Sequence, residues 1–187
     1  MPTESESIRV QAARFARRTV GIGVYAVGVL VGSPYHRLLG LRSAAERALA
    51  NGDTEDAEFL AKELLQLAGR YRDDWYYGNA VHNGHEILGL VHMKRGDPVA
   101  AERELLKAGQ TPGSPQLNSF GPNLTLAHDL LLEGRREVVL EYLELCRGFW
   151  CHKRKIQSSS GSEIRLDSWI EEIRRGTVPD FGPNLVY

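Results

Sequence analysis

The chain has 187 residues, of which 42% are apolar and 25% charged. These fractions are close to those of soluble globular domains and exclude wholesale disorder. A formal charge of −1 leaves no basic excess to neutralise phosphates, which excludes nucleic acid as a partner, and two cysteines cannot build a disulfide framework.

Residues 1–36 form an apolar N-terminal segment. Arg9, Arg14, Arg17 and Arg18 precede a run, residues 19–35, that carries no charge. As a helix this run spans roughly 25 Å, slightly short of a hydrocarbon core of ~30 Å. Adding residues 36–41, with Arg37 snorkelling, completes the span. Gly28 and Gly32 have the spacing that lets two membrane helices approach closely, a route to a homo-oligomer. Two readings stand here. The segment 19–41 is a membrane anchor, or it is a buried helix or strand of a soluble, cytoplasmic fold. Arginines flank both ends, so the positive-inside rule sets no orientation. No small-residue cleavage site follows, which disfavours secretion.

Glycine-centred turns come next. Asn51-Gly52-Asp53, Arg95-Gly96-Asp97 and Glu133-Gly134-Arg135 each interrupt an apolar helical pattern, 44 and 38 residues apart, within the range of helical repeats. Glycine suits such turns because it enters left-handed backbone without a Cβ penalty. Between them the pattern predicts helices at about 37–50, 54–71, 75–94, 98–109, 120–133, 136–149 and 163–175. Asp53 and Ser162 are the expected N-caps, and Pro98 sits at a permitted first-turn position. Residues 109–119, GQTPGSPQLNS, read as a loop, and residues 151–162 as a basic, then Ser/Gly-rich linker. Residues 163–187 supply a C-terminal helix and tail. The motif Phe120-Gly121-Pro122-Asn123-Leu124 recurs as Phe181-Gly182-Pro183-Asn184-Leu185, placing a second aromatic where it can tuck back onto the helices.

The middle unit carries Leu88-Gly89, His92, Gly96-Asp97, Ala101, Leu105, Ala108 and Pro112 in order. It resembles the tetratricopeptide repeat, with His85 where that pattern has Trp and His92 where it has Tyr. The flanking units are looser: Ala45, Ala57, Ala61 and Leu64 around Gly52, and Leu126, Ala127, Leu130, Val139, Leu143 and Cys146 around Gly134. The runs GNAVHNGHEILG, GQTPGSPQLNSFGPNLTLA and LEYLELCRGFW are similar to a group of bacterial helical-repeat proteins with no established activity. The resemblance implies an all-α fold over residues 37–150: a short stack of antiparallel helical hairpins, a tetratricopeptide-like solenoid, preceded by an apolar N-terminal helix. It implies no catalytic residue and no cofactor.

The densest polar constellation lies on the helix from Trp75. Asn79 and Asn83 are four apart, as are His82 and Glu86, and His82 and His85 are three apart, so these side chains neighbour one another on a helix surface. Gln116 and Asn118 in the following loop add amides. Three roles compete. The cluster hydrogen-bonds irregular buried backbone; or it lines a pocket for a peptide or small polar molecule; or His82, His85 and Glu86 serve as metal ligands or acid–base groups. The zincin spacing needs two His four apart, so no metal site is assigned. His85 and His92 read as core imidazoles, Cys146 as core, and Cys151 with His152 as an incomplete zinc set. Trp75, Tyr76 and Tyr77 are an aromatic cap or a ligand clamp. The function these residues imply is a non-enzymatic protein- or peptide-interaction module, tethered or not. Its partner-binding residues would be Asn79, His82, Asn83, Glu86, Gln116 and Asn118. The alternative is a small-molecule-binding protein or enzyme using His82, His85 and Glu86.

Overall fold

The computed structural model describes residues 33–151 and 161–185. These residues are all-α, with no strand among them. They form α1 (Pro34–Ala50), α2 (Thr54–Ala68), α3 (Tyr77–Lys94), α4 (Pro98–Gly109), α5 (Pro115–Phe120), α6 (Thr125–Leu132), α7 (Arg136–Trp150), α8 (Gly161–Arg174) and a 3-10 turn at Gly182–Leu185. Each long helix packs on its chain neighbour: α1 on α2, α2 on α3, α3 on α4. Beyond that, α4 and α8 both pack on α7.

One terminator recurs. At Gly52, Gly96, Gly134 and Gly176 φ lies between 74° and 91°. The glycine N–H donates three residues back, to Leu49, Met93, Leu131 and Ile173. The residue after it donates five back, to Ala48, His92, Leu130 and Glu172. This is the paired bond set of the Schellman motif, which satisfies carbonyls orphaned at a helix end. The three turns expected from sequence share it.

Two apolar clusters make the interior. One joins α1, α2 and one face of α3, with Leu38, Leu41, Leu60 and Leu64 fully enclosed. The other joins α4 to α8 and the tail around Leu130, Tyr142, Leu143, Trp169 and Phe181. Helix α3 is notched by glycine where neighbours come close. A Cβ on Gly84 would stand 2.7 Å from the Leu65 side chain, and one on Gly89 would stand 2.1 Å from that of Leu126.

Several expectations are corrected. The loop at 109–119 ends in helix α5, because Ser114 caps it (Leu117 N–H to Oγ, 3.0 Å) and Pro115 occupies its first turn. The helix expected at 120–133 starts only at Thr125, since Gly121 (φ 85°) and Pro122 break it. Residues 36–41, assigned to a membrane span, are instead the opening turns of α1. There Leu38 and Leu41 are buried in protein, and Arg37 pairs with Glu63 through two guanidinium nitrogens. Among the described residues no helix is long and apolar enough to cross a membrane. The rest of the apolar segment, with Gly28 and Gly32, and most of the linker lie outside the described residues.

The duplicated motif acquires a physical role. The second copy lies against the first. Asn184 Nδ2 donates to the carbonyls of Phe120 (3.2 Å) and Pro122 (2.8 Å), and Leu124 N–H donates to the Asn184 carbonyl at 2.8 Å. Phe181 is enclosed, its ring edge-on to Trp169 with centroids 5.1 Å apart. The Trp169 indole N–H donates to the Asp180 carbonyl at 3.1 Å. The tail is thereby locked onto the α5–α6 turn.

Candidate functional site

The polar residues of α3 point inward, toward the seam between the two apolar clusters. Asn79, His82, Asn83 and Glu86 are all buried, His82 completely and Glu86 to 4% exposure. Their first job is to hold irregular backbone. Ser114 Oγ donates to Asn79 Oδ1, and Asn79 Nδ2 donates to Gln116 Oε1. Thr111 Oγ1 donates to the Gly78 carbonyl at 2.7 Å. The approach is close because residue 78 is glycine: a Cβ there would lie 1.8 Å from the Gly113 carbonyl oxygen. Buried loop backbone is commonly satisfied in this way.

His82 links α3 to α7. Its Nδ1 lies 3.3 Å from Asn83 Oδ1 and its Nε2 3.0 Å from the Tyr142 hydroxyl. An amide oxygen only accepts, so Nδ1 carries the hydrogen. The single Tyr142 hydroxyl proton then serves two acceptors, bare Nε2 and the Asn123 carbonyl, to which the hydroxyl donates at 3.3 Å. Burial holds His82 at about 4, below its ordinary 6.5. Burial lifts Glu86 to about 8, against the opposing pull of Arg42. Both are therefore neutral at pH 7, and their 3.9 Å separation is a contact between uncharged groups. Among the described residues Glu86 Oε1 and Asn83 Nδ2 meet no hydrogen-bond partner. Burial raises the Tyr76 phenol above its ordinary value, and the Asn83 amide beside it pulls the other way.

His85 and His92, read as core imidazoles, are half-buried instead. His85 Nδ1 meets Glu104 Oε2 at 2.7 Å, and Lys107 Nζ meets Glu104 Oε1 at 2.8 Å. Burial raises the Glu104 carboxyl, but these two bonds outweigh it and hold the group at about 2. Among the described residues no three His, Cys, Asp or Glu side chains converge to hold a metal. Cys146 is buried and its thiol is driven up by burial, a core cysteine rather than a nucleophile.

Open concavities lie elsewhere, one of them, of about 890 Å³, between α4, α7 and α8. A groove of about 860 Å³ runs between the start of α3, the α4–α5 loop and the start of α8. Trp75 and Phe120 line it while exposing 56% and 62% of their surfaces. Pro115 and Trp150 extend the apolar lining, and Asp74 and Arg165 carry opposite charges into it. Arg165 has no acidic partner among the described residues. Of the six residues proposed from sequence, only Asn118 lines this groove. Gln116 is half-buried against Asn79, and the other four face the interior.

Sequence reading missed Trp150, Phe120 and Arg165 because they come from three distant segments. It also missed Tyr142, which falls in phase with the apolar stripe Val139, Leu143 and Cys146 of α7. A hydroxyl-tipped member of such a stripe is the signal that could have found it. No family model, no curated protein and no solved structure matches this chain.

Proposed function

We propose that this protein is a non-enzymatic interaction module of tetratricopeptide-like helical hairpins that binds an extended peptide segment of a partner protein in the Trp75–Phe120 groove. Three features support the repeat reading. The same glycine terminator recurs at Gly52, Gly96 and Gly134; small residues stand where helices cross closely; and successive helices pack in chain order.

The exposure of two large aromatics on one concave surface carries the binding reading. Monomers seldom leave such groups together in water, and aromatics dominate the energetics of interfaces. Arg165, without an acidic partner among the described residues, favours an acidic residue on the peptide, and Asp74 a basic or amino group beside Trp75. Pro112 and Pro115 stiffen the wall, lowering the entropic cost of binding. His82 and Glu86 are shut off from the groove, which argues against their acting as an acid–base pair on a substrate. The span expected over residues 19–41 is not carried into the proposal: residues 36–41, which completed it, belong to α1, and the remaining charge-free run is shorter than a ~30 Å hydrocarbon core as a helix.

Selection of peptides from a random display library on the full chain tests the groove. Enriched peptides should combine an aromatic or aliphatic residue with an acidic one. Their affinity should drop at least tenfold in Trp75→Ala and in Arg165→Glu. Selected peptides that bind both variants as tightly as the parent would defeat the assignment.

A further inference from the structure

The C-terminal tail is itself part of the Trp75–Phe120 groove, because Pro183 and Asn184 line it. Phe120 ends six-residue α5 and turns most of its side chain to solvent. Where its ring stands therefore depends on where the following turn carries its backbone. The fully buried Asn184 holds that turn. Its Nδ2 donates to the carbonyl of Phe120 itself and to that of Pro122, and its own carbonyl accepts from Leu124 N–H. These bonds straddle Gly121 and Pro122, where the chain runs between two helices.

A second route leads from the tail to the groove through aromatic rings. Phe181 meets Trp169 edge-on, and the Trp169 ring centroid lies 5.9 Å from that of Trp150, which lines the groove. A Cβ on Gly121 would stand 2.5 Å from the Trp150 ring, so the turn held by Asn184 packs directly on that ring. Trp169 also sits one turn after Arg165 on α8 and is fixed to the tail by its indole N–H. Phe120, Trp150 and Arg165 thus stand on elements that the tail ties together. Trp75, which precedes α3, belongs to none of them.

We propose that the tail regulates the groove: docking of residues 177–185 and binding of the peptide are thermodynamically coupled, with Asn184 as the positioning residue for Phe120. This rests on the peptide-binding reading of the groove. With the tail docked, Phe120, Trp150 and Arg165 are set before the peptide arrives, which lowers the ordering cost of binding. With the tail undocked, the peptide must also restore the turn. Linkage makes the effect reciprocal, so the factor that docking adds to peptide affinity is the factor that bound peptide adds to docking. Any agent that sequesters the tail lowers peptide affinity.

The experiment is a double-mutant cycle on the full chain, with every variant shown to be folded by circular dichroism. Its readout is the affinity of the tightest peptide selected on the unmodified protein. Asn184→Ala should weaken that peptide about fivefold or more. In a Phe120→Ala background the same change should cost about twofold at most, because the ring it positions is gone, whereas in a Trp75→Ala background it should keep its full cost. On the unmodified protein, saturating peptide should slow local opening of the tail about fivefold or more, read as hydrogen exchange at the Gly182 and Asn184 amides. That measurement does not depend on any variant folding. Exchange unslowed by peptide would overturn the coupling. So would an Asn184→Ala protein of undiminished affinity whose peptide still responds to Trp75→Ala, a result that leaves the groove standing. Equal costs in all three backgrounds would overturn it as well, by showing that Asn184 acts on the fold as a whole. A selected peptide indifferent to Trp75→Ala would remove the groove reading, and the coupling with it.

Discussion

Replacing Glu86 with glutamine tests the neutral interior seam directly. The carboxyl is 4% exposed and burial lifts it from an ordinary 4.5 to about 8. Between those values the folded protein keeps a proton that the unfolded chain releases. The stability associated with Glu86 is therefore fully present below pH 4.5 and is lost as pH rises toward 8. His82 works in the opposite sense. Burial lowers it from 6.5 to about 4, so stability is lost as pH falls from 6.5 through that range. The two trends offset each other between pH 4.5 and 6.5, and only Glu86 acts above it. At about 1.36 kcal/mol for each pKa unit, the parent should lose roughly 2 kcal/mol between pH 6.5 and 8. Glu86→Gln should lose none of this. Its amide N–H adds a buried donor whose cost, about 1–3 kcal/mol, is the same at every pH and cancels in the comparison. Urea unfolding of both proteins at half-unit steps of pH measures the difference of slopes. Parallel profiles from pH 6.5 to 8 would refute the reasoning and indicate a charged His82–Glu86 pair in the interior.

The remaining predictions follow the packing. Tyr142→Phe removes the hydroxyl from His82 Nε2 and should cost about 1–3 kcal/mol in urea unfolding, with peptide affinity unchanged. Gly78→Ala drives a Cβ to 1.8 Å from the Gly113 carbonyl oxygen, which is backbone and cannot rotate away, so a loss of about 3 kcal/mol or more is expected. Gly148→Ala, within α7 and with nothing within 4 Å of the added Cβ, should instead gain about 0.5–1 kcal/mol from helix propensity. Asn184→Ala removes both side-chain bonds to the α5–α6 turn. It should lower stability by about 2 kcal/mol and speed limited proteolysis within residues 177–185.

What could be read from the sequence follows from the range of the interactions. The all-α class and the turns at Gly52, Gly96 and Gly134 were legible because amphipathic period and a left-handed glycine are local properties. The break at Gly121-Pro122 carried a local signal too, but a continuous apolar pattern across it suggested one helix. The loop–helix boundary at Ser114 was missed because composition outweighed its cap and the following proline. The polar cluster on α3 was visible as a set of short polar side chains at helical spacing. Its direction was not, since a buried amide and an exposed one look alike in sequence. The groove could not be read at all, because Trp75, Phe120 and Arg165 meet only when α3, α5 and α8 are packed. The repeated Phe-Gly-Pro-Asn-Leu motif was visible as an echo, and the hydrogen bonds of Asn184 supply its reason.

The account separates a groove that binds from a polar seam that holds the helices together. Amide chemical-shift mapping of the full chain with a selected peptide tests that division most directly. The largest changes should fall at Trp75, Ser119, Phe120 and Arg165, with residues 79–86 little affected. Changes centred on His82, Asn83 and Glu86 instead would show that the partner enters the seam, and the division would fail.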